Sequence, residues 1–172
     1  VMIHADGDVS FFNDSAIGIA ASPKQIFNYA ASLGLEPHFN ESQRLRTLAD
    51  SGYSKIVMCD HSLIFDHAQV GPSYLPGHAH ADTLSFEWSV GNQRVFVNSG
   101  TSMYGVSHER LRQRKTAAHN TIEVDGHDSS EVWSGFRVAR RAKAVLESAN
   151  TSGEWVTVTA AHDGYRRLKG NV

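Results

Sequence analysis

The stretch Pro76-Gly77-His78-Ala79-His80-Ala81-Asp82 holds the side chains best suited to chemistry. Residues i and i+2 of an extended chain point to one side, so His78 and His80 project together. Two such imidazoles either share a metal ion, or one binds metal while the other moves a proton. A plain pair of surface histidines has the same spacing, so the motif alone does not decide. Further on, Arg110, Arg112, Arg114 and Lys115 place four positive charges in six residues with no acid among them. Eight of the chain's 16 basic residues fall between Tyr104 and Val145. A local basic field of this kind fits an anionic ligand, with a solvated loop as the alternative. His119 follows this loop as a further candidate ligand. Tyr104, in the loop after Asn98-Ser99-Gly100-Thr101, either donates a proton or packs. Trp133, beside Glu131, Phe136 and Arg137, either stacks on a sugar face or enters a core.

These residues need elements to position them. Ser22-Pro23 is a helix start, Ile26, Phe27, Ala30 and Leu33 keep helical spacing, and Gly34 closes the run. A short second helix is expected over 40–49, with Leu45 and Leu48 on one side. From Ser51 the texture changes to strands and turns. Tyr53–Met58 and Ser62–Asp66 flank Cys59-Asp60-His61 as a hairpin. Thr83–Val90 alternates, with Leu84, Phe86 and Trp88 on one face and Thr83, Ser85, Glu87 and Ser89 on the other. Gly91-Asn92 turns the chain into a strand over 94–98. Long loops are expected at 68–77 and 99–118, with further strands at 121–124, 137–148 and 155–161. Two loops of this length in a compact β domain are often functional. The expectation is an antiparallel β-sandwich after a short helical segment, divided near residue 50.

Composition sets the frame. The chain has 172 residues, 41% hydrophobic and 20% charged, which excludes a fully disordered chain. Its net charge of −2 names no partner, and no apolar run approaches the roughly 20 residues of a membrane-spanning helix. The single cysteine, Cys59, forms no internal disulfide. Ten histidines are more than a chain of this size ordinarily carries. Val1 is not an initiator Met and no leader pattern follows it, so the chain reads as a segment of a longer protein.

The ordered stretches PGHAHADTLSFEW, FVNSGTSMY, RKTAAHNTIEVDG, SEVWSGFR and HDGYRRL resemble the heparinase II/III-like polysaccharide lyases, above all those of bacterial exopolysaccharide clusters. Together they run from about Asp50 to Lys169. The resemblance implies a mainly β fold, an antiparallel β-sandwich following an (α/α) toroid. Residues 1–50 would be the end of the toroid region and 51–172 an incomplete sandwich. It implies β-elimination on an anionic, uronic-acid polysaccharide such as heparan sulfate and other glycosaminoglycans, alginate or an exopolysaccharide. It also implies a periplasmic or secreted location. His78 matches the catalytic His, a base or carboxylate neutraliser, and Tyr104 a substrate-contacting Tyr. His80 and His119 match two ligands of a zinc ion, and Asn98 stands where an Asp is the common third ligand. Asp82 is a substitute for that ligand. Arg110, Arg112, Arg114, Trp133 and Arg137 are the expected substrate-binding residues.

The chemistry is consistent with these types. A C5 proton beside a carboxylate is poorly acidic until that charge is neutralised, so stabilising the developing enolate is the main demand. Histidine suits the proton transfer, and arginine suits carboxylates and sulfates. The remaining catalytic groups would lie on the toroid domain, the expected partner in the same protein, so the segment alone is expected to be inactive. A non-catalytic carbohydrate-binding sandwich is the main rival. A cupin-like metal site is a lesser one, because Glu87 lies seven residues beyond His80. No nucleic-acid-binding module is present.

Overall fold

A computed structural model describes residues 2–35 and 43–170. It is mainly β, and every strand pair is antiparallel. A strap over residues 2–16 comes first, followed by helix α1 (Pro23–Ser32). A five-stranded sheet then forms in chain order from β1 (Leu45–Leu48), β2 (Tyr53–Met58), β3 (His61–Asp66), β4 (Phe86–Val90) and β5 (Gln93–Phe96). Helix α2 (His108–Arg114) and a 3-10 turn over Thr116–Ala118 follow. The hairpin β6 (Val132–Trp133) and β7 (Arg137–Val138) and the long hairpin β8 (Ala144–Ser152) and β9 (Trp155–His162) complete the chain. No helix among the described residues is long and apolar enough to cross a membrane.

Helix α1 starts and stops where its residues dictate. The Ser22 hydroxyl accepts from the Gln25 N–H while the Gln25 side chain accepts from the Ser22 N–H, a capping box with Pro23 in the first turn. Gly34, at φ +72°, closes it. The helix expected over 40–49 is instead strand β1 over its described part. Leu45 and Leu48 fit a helical stripe, but pairing of Leu45–Leu48 with β2 wins. Residues 40–42 of that expectation lie outside the described residues, as does Pro37. Because β1 belongs to the sheet, a domain boundary at residue 50 would cut it. The long loop at 99–118 contains α2, and 121–124 forms only an isolated bridge between Val124 and His127.

Cross-strand register decides what each sheet face carries. Ser62 pairs with Ser89, Ile64 with Glu87, and Lys55 with Ile64, which puts these residues on one face. Leu63 pairs with Trp88 and Phe65 with Phe86 on the other. The polar face is the covered one: Ser62, Ile64, Ser85, Glu87 and Ser89 are buried. The strap lies across it. His4 bridges Glu87 (Nε2 to Oε2, 2.7 Å) and Ser89 (Nδ1 to Oγ, 2.7 Å). The Phe11 N–H donates to Glu87 Oε1 at 2.8 Å, Lys55 Nζ to the Ile3 carbonyl at 2.6 Å, and Arg94 to Asp6 and Val9. Glu87 is therefore a buried anchor for the strap, and this is what brings residues 13 and 14 to the middle of the molecule.

Candidate active site

Asp14, at the end of the strap, is the hub. Its Oδ2 accepts from His78 Nδ1 at 2.7 Å, and its Oδ1 accepts from His80 Nε2 at 2.7 Å and from the Thr101 hydroxyl at 3.0 Å. Arg110 grips both oxygens, Nη1 on Oδ1 and Nη2 on Oδ2, the latter at 2.8 Å. Burial would raise the Asp14 carboxyl, but the hydrogen bonds from His80, Arg110 and His78 outweigh it and hold the group well below the ordinary carboxylate range. Asp14 is thus ionised, acceptor-only, and each facing imidazole nitrogen carries a hydrogen.

That fixes both tautomers. His78 donates from Nδ1, so the neutral ring carries its lone pair on Nε2, and the ring is largely exposed (70%). His80 donates from Nε2, so its Nδ1 lone pair faces His119 Nε2 at 3.3 Å. The HxH pair is brought together on the one carboxylate of Asp14.

Three loops supply the remaining geometry. The His80 N–H donates to Asn13 Oδ1 at 3.1 Å, and Ala81 N–H to the Arg114 carbonyl at 2.9 Å. Thr116 Oγ1 donates to the Ala81 carbonyl at 2.7 Å. Tyr104 and Phe136 stack at 6.0 Å and 18°, and the edge of His78 meets both rings at 6.2 and 6.0 Å. The Arg110 guanidinium lies 5.4 and 5.3 Å from the same two ring centres. Gly135 lets this turn press home, since a Cβ there would stand 2.2 Å from the Gly105 carbonyl oxygen.

The exposed basic field expected at 110–115 is not what the chain builds. Arg110 and Arg114 are fully buried. Arg114 donates to the Ala79 carbonyl (2.9 Å from Nη2) and to the carbonyls of Trp133 and Ser134 (3.4 and 3.2 Å from Nη1). Arg110 Nε donates to the Gly135 carbonyl at 3.0 Å. Burial pulls the Arg114 guanidinium down to about 10, leaving it charged at neutral pH. Arg112 is exposed but spent on Glu109 of its own helix, at 2.7 and 2.8 Å. Charge that cannot be solvated must be paired, so Arg110 and Arg114 fasten the β6–β7 turn to the histidine loop. Trp133 and Arg137 are both exposed, and they pair across the β6–β7 hairpin.

The candidate metal residues divide. Two ligands at about 2.05 Å on a tetrahedral zinc stand about 3.3 Å apart. The His80 Nδ1 to His119 Nε2 separation of 3.3 Å matches that edge. His80's other nitrogen is held by a carboxylate, the usual support of a ligating imidazole. Burial pushes the His119 imidazole down to about 4, so it is neutral at pH 7, as a ligand must be. Its Nδ1 is buried without a hydrogen-bond partner among the described residues. Asn98 is buried too, but its Oδ1 accepts from the Asn120 N–H at 2.9 Å and its Nδ2 has no partner, so it offers at most one further oxygen lone pair. Asp82 accepts from the Asn13 N–H at 3.0 Å and, buried, lies near enough Asp66 to raise its carboxyl. Among the described residues no group of three His, Cys, Asp or Glu converges as a metal cage. Two imidazoles fit zinc, and Asn98 is the weak corner.

Sequence reasoning missed Asp14. No periodicity marks it, and its partners lie 64 to 96 residues away. A family model described as heparinase II/III-like, C-terminal, matches residues 40–172. Among solved structures, a heparinase III gene product is 17% identical with a TM-score of 0.69, covering 96% of this chain and 27% of that one. The heparan sulfate lyase HepC from Pedobacter heparinus is 15% identical with a TM-score of 0.71, again over 96% and 27%. A structure of heparinase III is 15% identical with a TM-score of 0.61, over 88% and 26%. The chain therefore spans about a quarter of the length of these structures, and at such identities they show the fold. No curated protein matches.

Proposed function

We propose, from the premise that this chain belongs to the heparinase II/III-like, C-terminal family, that it is the β-sandwich part of a polysaccharide lyase with His78 as the proton-transferring group. The observation that supports this reading is the Asp14–His78 pair: a carboxylate at 2.7 Å orients Nδ1–H of a largely exposed ring and assigns the lone pair of its neutral form to Nε2. The substrate class is an anionic, uronate-containing polysaccharide, as the solved relatives' names suggest for those proteins. Such a polymer points to a location outside the cytoplasm. The exposed Trp133–Arg137 pair offers a stacking face and a guanidinium for sugar and carboxylate.

His78 Nε2 takes the C5 proton of the uronate. The C5–H electrons form the C4=C5 double bond, and the C4–O4 bond breaks with its pair on O4. The Tyr104 hydroxyl, on the ring that meets His78, is the group suited to return a proton to O4. Asp14 never leaves its carboxylate state. It orients His78 and balances the imidazolium formed in the step. His80 and His119, with the Asn98 oxygen as weaker support, would hold a zinc ion. Bound there, zinc supplies a fixed positive charge that locks the two rings together.

The toroid domain of the same protein remains the proposed partner, because the chain covers about a quarter of its relatives' length. The test is absorbance of the unsaturated uronate product from the parent polypeptide on heparan sulfate, alginate and polygalacturonate. We expect His78→Ala to lose at least about a hundredfold in kcat, as removal of a general base does. An unchanged kcat would remove His78 from this role. Metal analysis is the companion test: about one zinc per chain, lost in both His80→Ala and His119→Ala, supports the metal site, and its absence from folded protein overturns it.

A further inference from the structure

Two arginine pairs, Arg140-Arg141 and Arg166-Arg167, are unused by the chemistry above, and the fold brings them to one place. They line a cleft of about 440 Å³ between the segment before β8 and the turn after β9. Asp163 is the one carboxylate in its wall, and its Oδ1 accepts from the Lys143 N–H at 2.7 Å. None of the lining residues belongs to the Asp14 constellation.

Two of the guanidiniums are built in. Arg141 donates to the Pro72 and Ser73 carbonyls at 3.1 and 3.0 Å, and Arg167 donates to the carbonyls of Ser129 (3.2 Å), Gly164 and Asp128. Carbonyl oxygens fix these groups without neutralising them. Arg140 is mostly exposed (71%), with Glu131 Oε1 at 3.6 Å, and that same oxygen stands 3.6 Å from Arg167 Nε. Glu131 thus stands between an outer and an inner arginine, with neither guanidinium in hydrogen-bond range, and its Oε2 accepts from the Arg140 backbone N–H at 3.3 Å. Arg140, Arg141 and Arg167 outnumber the two carboxylates, Asp163 and Glu131, and leave the cleft positive.

We infer that this cleft is an oxyanion-binding site that takes a sulfate or carboxylate group of an anionic saccharide. The saccharide source rests on the proposed function, whereas the oxyanion site does not. Glu131 acts as an internal competitor for it.

The experiment titrates inorganic sulfate and a galacturonate trimer into the chain, followed by calorimetry and by the arginine side-chain NMR signals. Arg140→Ser is expected to weaken binding of both probes about tenfold, roughly the worth of one charge-assisted bond. Arg112→Ser, an equal charge loss on α2, is expected to leave it unchanged. Glu131→Gln is expected to tighten binding severalfold, a gain that no misfolded variant would give. Equal weakening by Arg112→Ser and Arg140→Ser, or no gain with Glu131→Gln, would overturn the site. Sulfate binding without trimer binding would overturn the saccharide source alone. His78→Ala should bind both probes normally, which separates failure of this site from failure of the lyase reading.

Discussion

Asp14 and Arg110 carry opposite charges into the interior, and each is tolerable only because of the other. Removing one partner of a buried pair costs about 3–5 kcal/mol, while removing both is far milder. Asp14→Asn is therefore expected to lower the urea midpoint sharply, and Asp14→Asn with Arg110→Met to recover most of it. Two independent losses that simply add would show that the pair is not coupled. The same reasoning separates the cations of α2. Arg114→Met strands three backbone carbonyls and is expected to cost about 3 kcal/mol, whereas Arg112→Met, on an exposed pair, should leave stability almost unchanged. Sequence alone presented these arginines as equals. Burial, which no local pattern announces, distinguishes them.

At the level of elements, the β2–β3, β4–β5 and β8–β9 hairpins and α1 were legible because their signals are local, whereas the strand expected over 137–148 is split into β7 and β8. A capping box, Gly91-Asn92, and the turn at Cys59-Asp60 each act within a few residues. β1 was not, because Leu45 and Leu48 satisfy a helical spacing as well as a strand. α2 was not, because seven residues with Leu111 as the one large apolar side chain carry no stripe. The end of β3 brings a further consequence. Burial, and then the Asp82 charge, raise the Asp66 carboxyl well above its ordinary value. The folded chain therefore holds a proton there that the unfolded chain releases near pH 3.9, so stability falls as pH rises from that value through the folded pKa. Asp66→Asn keeps an acceptor for the Ala68 N–H and loses the ionisation. It is expected to stabilise the chain by about 1 kcal/mol or more at pH 8 and by little at pH 4. Denaturation midpoints across that range check this, and a variant that is no more stable at pH 8 would refute it.

Across the whole molecule, the polar face of the sheet is closed by a strap rather than by a second apolar layer. Among the described residues four of the eight buried hydrophobic ones are alanines, while serines, histidines and carboxylates fill much of the interior. The strap's position rests on directed bonds, above all His4 to Glu87 and Ser89. His4→Ala is expected to raise amide exchange at Phe11 and Asn13 by about tenfold or more, with β2–β3 amides unchanged. The same variant should lower the activity of the parent polypeptide, although His4 touches no site residue. Slow exchange retained at Phe11 would show that the strap holds without it. This dependence was invisible in the sequence, since each bond joins residues more than 80 positions apart.

That separation also has a meaning in time. Arg110 leaves the ribosome 96 residues after Asp14. At about 5–20 residues per second, Asp14 waits about 5–20 s for its counter-charge. Asp14, without Arg110 through that interval, keeps its end of the nascent segment hydrated, while the hairpins behind it close from local contacts. The candidate active site therefore closes only after the strap has its anchors, and a nascent chain halted before Arg110 would carry a formed sheet with the strap held at Glu87 and Ser89 but Asp14 without its counter-charge.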